Sequence, residues 1–233
     1  QFPSHEKYAI ITDRPDGQFK QGGSMTNSFS RQSAGEAAIL DAAVRLFSAN
    51  GYDAVSMREV ASEAGVSKAN IYHHFDSKEA LYRAILHQSA EDLSGLVETL
   101  AEGAGSFESR ISEFAAGHLK HLDGNPLASR LIIREAFSSD DERSRVLVDQ
   151  VFGSIFERIV SIFRAGQQAG ALRRELDPAL CATLLMGADV FFFQARDMLN
   201  QLPQADFALH PARFSREMVE VMLRGMMNPE GEG

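Results

Sequence analysis

Between Ser56 and Leu86 apolar residues recur every three or four positions, in three short runs divided by polar and glycine residues. Ser56 and Glu59 have capping-box spacing, so a helix is expected from Met57, with Val60, Ala61 and Ala64 on its inner face. Gly65 ends it. Val66 can pack inward while Ser67 caps a second helix, whose inner face is Ile71 and Phe75. Asp76 and Glu79 repeat the capping-box spacing and are expected to open a third helix carrying Leu81, Tyr82, Ile85 and Leu86. Two helices joined by a short turn containing Gly form a helix-turn-helix, whose second helix enters the major groove of DNA.

With Ile71 set inward at 0°, Ala69 falls near 160° and His73 near 200°, while Tyr72 and Asn70 flank them near 100° and 260°. The outward face is therefore small, polar or aromatic. A purely structural three-helix unit would need an apolar stripe there for a protein partner, and none is present. Lys68, Ala69 and Asn70 occupy the first turn, the part of such a helix that reaches base edges. Asn can bond adenine bidentately, Lys can donate to guanine, and an Ala methyl can touch a thymine methyl. Tyr72, His73, His74 and Lys78 are suited to phosphates, which position a protein without specifying sequence.

Residues 36–82 resemble the amino-terminal DNA-binding domain of TetR-type repressors. The likeness lies in a first helix ending in Phe47, a Gly51-Tyr52 turn and a cap at Ser56. It continues through Ala61, Ala64, Gly65, Val66 and Ser67, then Ile71, Tyr72, His74, Phe75 and Lys78. It implies phosphate contacts from Tyr72, His74 and Lys78, with Lys68, Ala69, Asn70 and His73 facing the bases. Ser56 and Ser67 join this set as caps at the DNA surface.

The rest of the chain stays helical by pattern. A long helix is expected over 76–101, broken by Gly103 to Gly105, then one over 107–122 with Phe107, Ile111, Phe114, His118 and Leu122 on one face. Asn125-Pro126 opens a helix to about 138, a further one spans 140–168 with Val148 and Phe152 on its apolar face, and Gly170 stops it. Asp177-Pro178 starts a helix of about 178–200 and His210-Pro211 a last one to about 227. The expected fold is all-α with about nine helices. Residues 25–80 form the helix-turn-helix domain, 81–228 a helical effector-binding and dimerisation domain, and 229–233 a tail. The resemblance implies the same order, with dimerisation through the last two long helices. Leu184, Phe191, Phe214, Met218 and Val221 lie on their faces.

Residues 1–24 differ in character from the rest of the chain and read as an added or mis-assigned leader before Met25, so they are set aside. The Ser/Asn-rich segment 26–33, with Arg31, could instead serve as an arm toward the minor groove.

Charge restricts how DNA could be held. The chain carries a net −9, and residues 31–85 hold six Arg/Lys against seven Asp/Glu. A bulk field of this sign gives little non-specific affinity, so binding is expected to rest on placed donors, helix N-termini and a symmetric operator. The single Cys181 offers no disulfide framework, which suits the reducing cytoplasm. No continuous apolar run approaches the ~20 residues that span a bilayer, and no membrane partner is expected.

Eleven of the 16 Phe residues lie beyond residue 100, and there is no Trp. Phe at helical spacing is core far more often than pocket. A cavity among these helices would still be apolar, and Phe114, His118, Phe137, Phe152, Phe156 and Phe193 are its candidate lining. Asp189 interrupts a run of Leu, Met, Ala, Val and Phe, and a buried carboxylate needs a partner. Arg196, seven residues on and on the same face, is one candidate; a cationic or hydroxylated ligand is another. His118 and His121 at i, i+3 lack the further ligands a metal site requires. Arg134 and Glu135 read as a solvated or interhelical pair.

The leading expectation is a homodimeric repressor that a small apolar or aromatic effector releases from a palindromic DNA operator. A second is a DNA-binding regulator with no small-molecule input, governed by a protein partner or by abundance. An enzyme is not indicated. The sequence holds no Gly-rich phosphate loop, no G-x-S-x-G elbow and no complete metal ligand set, and implies no cofactor.

Overall fold

Local chemistry sets the first boundaries of the fold. In the computed structural model, which describes residues 34–137, 145 and 152–227, Ser56 Oγ accepts the Glu59 N–H at 3.2 Å while Glu59 Oε2 accepts the Ser56 N–H at 2.7 Å. That reciprocal box opens α2 (Met57–Glu63) behind α1 (Ala34–Asn50). Gly65, at φ +67°, ends α2 in a Schellman turn: its N–H donates to the Ser62 carbonyl, and that of Val66 to the Ala61 carbonyl. A side chain at this φ would be strained, which is why glycine stands here. The chain then turns into α3 (Lys68–His74), capped by Ser67.

The next helix differs from expectation. α4 (Lys78–Glu102) is capped by Ser77, whose Oγ accepts the Ala80 N–H at 3.0 Å, and not by an Asp76/Glu79 box. Ser77 holds the extended backbone a cap requires, one residue later than the acidic spacing suggested. α5 (Phe107–Gly124) and α6 (Pro126–Ala136) follow, then α7 (Gly153–Gln168), α8 (Pro178–Leu199) and α9 (Pro211–Met226). A 3₁₀ turn at Asp206–Leu209, too short to leave a periodic signal, precedes α9. Nine α-helices thus stand among the described residues, and the only bridge there is an isolated one between Leu172 and Met227. The leader 1–24, the arm 26–33, the tail 229–233 and Val148 lie outside the described residues.

Two main apolar cores result. One gathers Ile39, Phe47, Val60, Ile71, Leu81 and Tyr82 from α1 to α4, together with Leu131 and Ile132 of α6. The rings of Phe47, Tyr52 and Tyr82 meet edge-on or tilted at 4.9 to 5.6 Å between centroids. The other joins Val97 and Leu100 of α4 to Ile111 and Phe114 of α5, Ile159 and Phe163 of α7, Leu185 of α8 and Val219 of α9. α4 and α6 therefore serve both the helix-turn-helix end and the carboxy-terminal helices.

Arg134 completes the join. Its Nη1 donates to the Ser48 carbonyl at 3.1 Å and its Nη2 to that of Phe47 at 2.5 Å, so a side chain of α6 caps the last turn of α1. Arg134 is thus exposed and interhelical, as one expectation had it, but its acceptors are backbone carbonyls of α1, while Glu135 is buried. Arg134→Ala is expected to cost roughly 1 kcal/mol of stability, read as a lower Tm with faster amide exchange at the end of α1. An unchanged Tm and exchange pattern would make the two bonds no stronger than hydration.

α8 also corrects the membrane reading. Counting continuous apolar residues missed that this 22-residue helix is long and apolar enough, by length and composition, to cross a bilayer. Its residues Cys181, Ala182, Leu185, Phe192 and Phe193 are instead buried against neighbouring helices, with Asp189 among them.

Candidate functional site

α3 turns the expected face outward. Ile71 and Phe75 are buried, whereas Lys68, Ala69, Asn70, Tyr72 and His73 are exposed and His74 is half-buried. Ser67 Oγ accepts the Asn70 N–H at 3.1 Å, which fixes the first turn and leaves the Asn70 side-chain amide outward. The cap bonds use lone pairs of Ser56 and Ser67; the Ser56 hydroxyl proton is shared with the Glu59 carboxyl, while that of Ser67 is left to donate. Lys68 lies over the Tyr72 ring, 5.8 Å from its centroid. Lys78 is held more firmly, 4.3 Å from the Tyr52 centroid, with its Nζ donating to the Asp53 carbonyl at 3.4 Å. The turn after α1 therefore fixes the position of this ammonium.

The acidic residues nearby are largely engaged. Hydrogen bonds from the Ser56 side chain and then its backbone hold the Glu59 carboxyl below its usual range, with Lys78 adding a smaller pull. Arg45 bridges Asp41 and Glu63. Arg58, on the first turn of α2 and exposed, was not singled out in the sequence; its place beside the Ser56 cap is the signal that could have found it.

These features have known counterparts. The sequence model for "Bacterial regulatory proteins, tetR family" matches residues 39–85, and that for "Tetracyclin repressor-like, C-terminal domain" matches residues 108–221, together more than half the chain. The chain belongs to the TetR family. It is a DNA-binding transcriptional regulator. The nucleoid occlusion factor SlmA of Marinomonas sp. (strain MWYL1) is 23% identical to it over 189 residues, which is 81% of this chain and 93% of that one. The HTH-type transcriptional repressor DhaR of Mycobacterium sp. (strain GP1) is 28% identical over 156 residues, 64% of this chain and 76% of its own. The fatty acid degradation regulator FadR from Bacillus halodurans shares the fold, with a TM-score of 0.69 at 18% identity over 84% of this chain and 98% of its own.

In the carboxy-terminal half of this TetR-family chain, the residues expected to line one cavity are dispersed. Phe114 stacks on His118, with centroids 5.8 Å apart and planes 14° apart. Phe193 packs with Leu122 and Ile133, and Phe156 against the second core. Phe152 packs against the first core. Phe137, where α6 ends, is 79% exposed and lines no interior.

Asp189 pairs with His118 and not with Arg196. Its Oδ2 lies 3.0 Å from His118 Nδ1, and both side chains are almost wholly buried. Arg196 Nη1 donates instead to Asp123 Oδ2 at 2.8 Å. Burial pushes the Asp189 carboxyl up, opposed by the bond and charge of His118. Among the described residues no donor reaches Asp189 Oδ1, a deficit worth about 1–3 kcal/mol for a buried polar atom. Burial likewise disfavours the Cys181 thiolate, so this thiol is packed and unreactive.

Of the residues assigned to a subunit contact, Leu184, Phe191 and Val221 are 50%, 62% and 73% exposed. Met218 is half-buried against the second core, and Phe214 stacks on Phe192 at 4.0 Å.

Burial holds the His121 imidazole below its ordinary value of 6.5, with Asp92 opposing and His118 adding to the shift. The unfolded chain then takes up this proton before the folded one, so stability is lost as pH falls through the histidine range. Asp189 works in the opposite sense, since its raised carboxyl binds a proton more readily in the fold. His121→Gln is expected to flatten the fall of Tm between about pH 7 and pH 5. An unchanged slope would assign the acid sensitivity to another group.

Proposed function

We propose that the protein is a homodimeric cytoplasmic repressor that binds an inverted-repeat operator and is released from it by a small apolar or aromatic effector. The observation that carries this reading is the outward face of α3, where Lys68, Ala69, Asn70 and His73 stand exposed with no apolar stripe to cover. Tyr72, His74, Lys78 and Arg58 would take phosphates, with Ser67 adding a hydroxyl donor at the start of α3 and Ser56 capping α2 at the same surface.

Two-fold symmetry is supported by α8. Leu180, Leu184, Phe191 and Met198 are all exposed and recur at helical spacing along its outer side, with Gly187 between them. Val221 adds to this on α9, which packs against α8. Signalling would run through α6, which shares the first core through Leu131 and Ile132 and contacts Leu122 and Phe193 through Ile133. An effector acts by binding the DNA-released arrangement more tightly than the bound one. Residues 25–80 would form the reading domain and 81–228 the sensing and pairing domain. A second reading is a regulator without small-molecule input, governed by a protein partner or by abundance; the dispersal of the candidate lining residues among the packed cores favours it.

The test is to sequence the DNA fragments that the purified protein selects and to footprint the best of them. An inverted repeat protected on both halves is expected. A single asymmetric half-site, or uniform protection of random DNA at physiological salt, overturns the reading.

A further inference from the structure

α5 and α8 meet along a seam that is polar within an otherwise apolar and aromatic half of the chain. It holds the His118–Asp189 pair and the Asp123–Arg196 pair. Acceptors are left over in it. Asp189 Oδ1 and Asp123 Oδ1 are both shielded from solvent, and no hydrogen-bond donor among the described residues reaches either.

Asp189 is the more constrained of the two. It is 0% exposed, and the apolar side chains Leu185, Phe192 and Phe193 stand one turn away on its own helix. His118, held flat against Phe114, fixes the direction of Oδ2. Whether the proton between them rests on Nδ1 or on Oδ2, Oδ1 remains an acceptor. A carboxylate oriented on one oxygen and unpaired on the other, in apolar surroundings, is the polar group that gives an apolar site its selectivity. A charged donor would satisfy such an oxygen and offset its charge together, which favours a cation over a neutral head.

We propose that Asp189, positioned by His118, anchors an effector that carries a primary ammonium on an apolar or aromatic body. This rests on the proposed effector-released function and narrows its ligand class from apolar molecules in general to amphipathic amines.

The test uses the full chain and three series of one- and two-ring compounds with identical bodies, ending in a primary ammonium, a hydroxyl or a methyl group. Thermal shift and titration calorimetry are expected to show the amines binding, the alcohols more weakly and the methyl analogues at least about tenfold more weakly than the amines. Asp189→Asn is expected to bring the amines down to the methyl level and to leave the methyl series unchanged. The wild-type comparison stands even if that variant does not fold.

Methyl analogues binding as tightly as amines, an amine preference that survives in Asp189→Asn, or silence from all three series would each overturn the proposal. Operator release is measured separately. Asp189-dependent amine binding that leaves DNA bound supports the anchor and removes the effector reading. Release by methyl-ended compounds at concentrations no higher than the amines need, independent of Asp189, supports the effector reading and overturns the anchor.

Discussion

Charging the outer stripe of α8, by Leu184→Glu and Phe191→Glu together, is expected to yield monomers and to weaken operator binding by roughly 10²–10⁴-fold. The reason is geometric. Each chain carries one reading helix, and two linked readers engage a symmetric site at high effective concentration only while the subunits hold together. Leu184 and Phe191 suit the test because they are half or more exposed, so charging them leaves the fold of one chain intact. Val221 is a suitable third position on α9. Phe214 and Met218 are poorer choices, since each is packed within its own chain and its loss would confuse folding with pairing. Sedimentation equilibrium with operator titration decides the matter. A double variant that stays dimeric and binds DNA as before would put the subunit contact elsewhere.

Asn70→Ala is expected to cost about 1–3 kcal/mol in each half-site, and so about 2–6 kcal/mol on a symmetric operator, concentrated at one base pair per half. The fold should not suffer, because the Ser67 cap bonds the Asn70 backbone and Ala is the better helix former. Lys78→Ala should act differently. Its ammonium, fixed by the Tyr52 ring and the Asp53 carbonyl, would lose a phosphate contact at every site alike and lower the salt slope by about one per subunit. Binding curves on cognate and scrambled operators at several salt concentrations separate the two. Equal losses from both variants on both DNAs would break the division between reading and positioning.

The reading helix was legible because its determinants are local. Ser56 with Glu59, the Gly65 turn, and Ser67 with Asn70 each act over a few neighbouring residues, and the wheel around Ile71 needs only helix geometry. The cap of α4 was misread by one residue for the same local reason, since Asp76 and Ser77 are both good caps and only the backbone angle of Ser77 chooses between them. The Asp189 partner was not legible. Arg196 shares its helix face, whereas His118 is 71 residues away and becomes a neighbour only when α5 packs on α8. Phe137 failed otherwise. Periodicity continues the apolar face of α6 through it, but the helix ends at Ala136 and the ring stays in solvent.

α6 also bears on how far this reader can be treated as a transferable module. Leu131 and Ile132 fill the same core as Phe47, Ile71 and Tyr82, although Leu131 lies 57 residues beyond His74, the end of α3. A fragment cut near residue 80 would lack both side chains and the Arg134 cap on α1, leaving an apolar hole open to water. Chimaeras that graft this head onto a foreign sensor should therefore fold only when the borrowed body supplies an equivalent wedge. Compatibility between reader and sensor would then be decided by a few aliphatic side chains and one arginine, all of them outside the proposed reading face and the proposed ligand anchor.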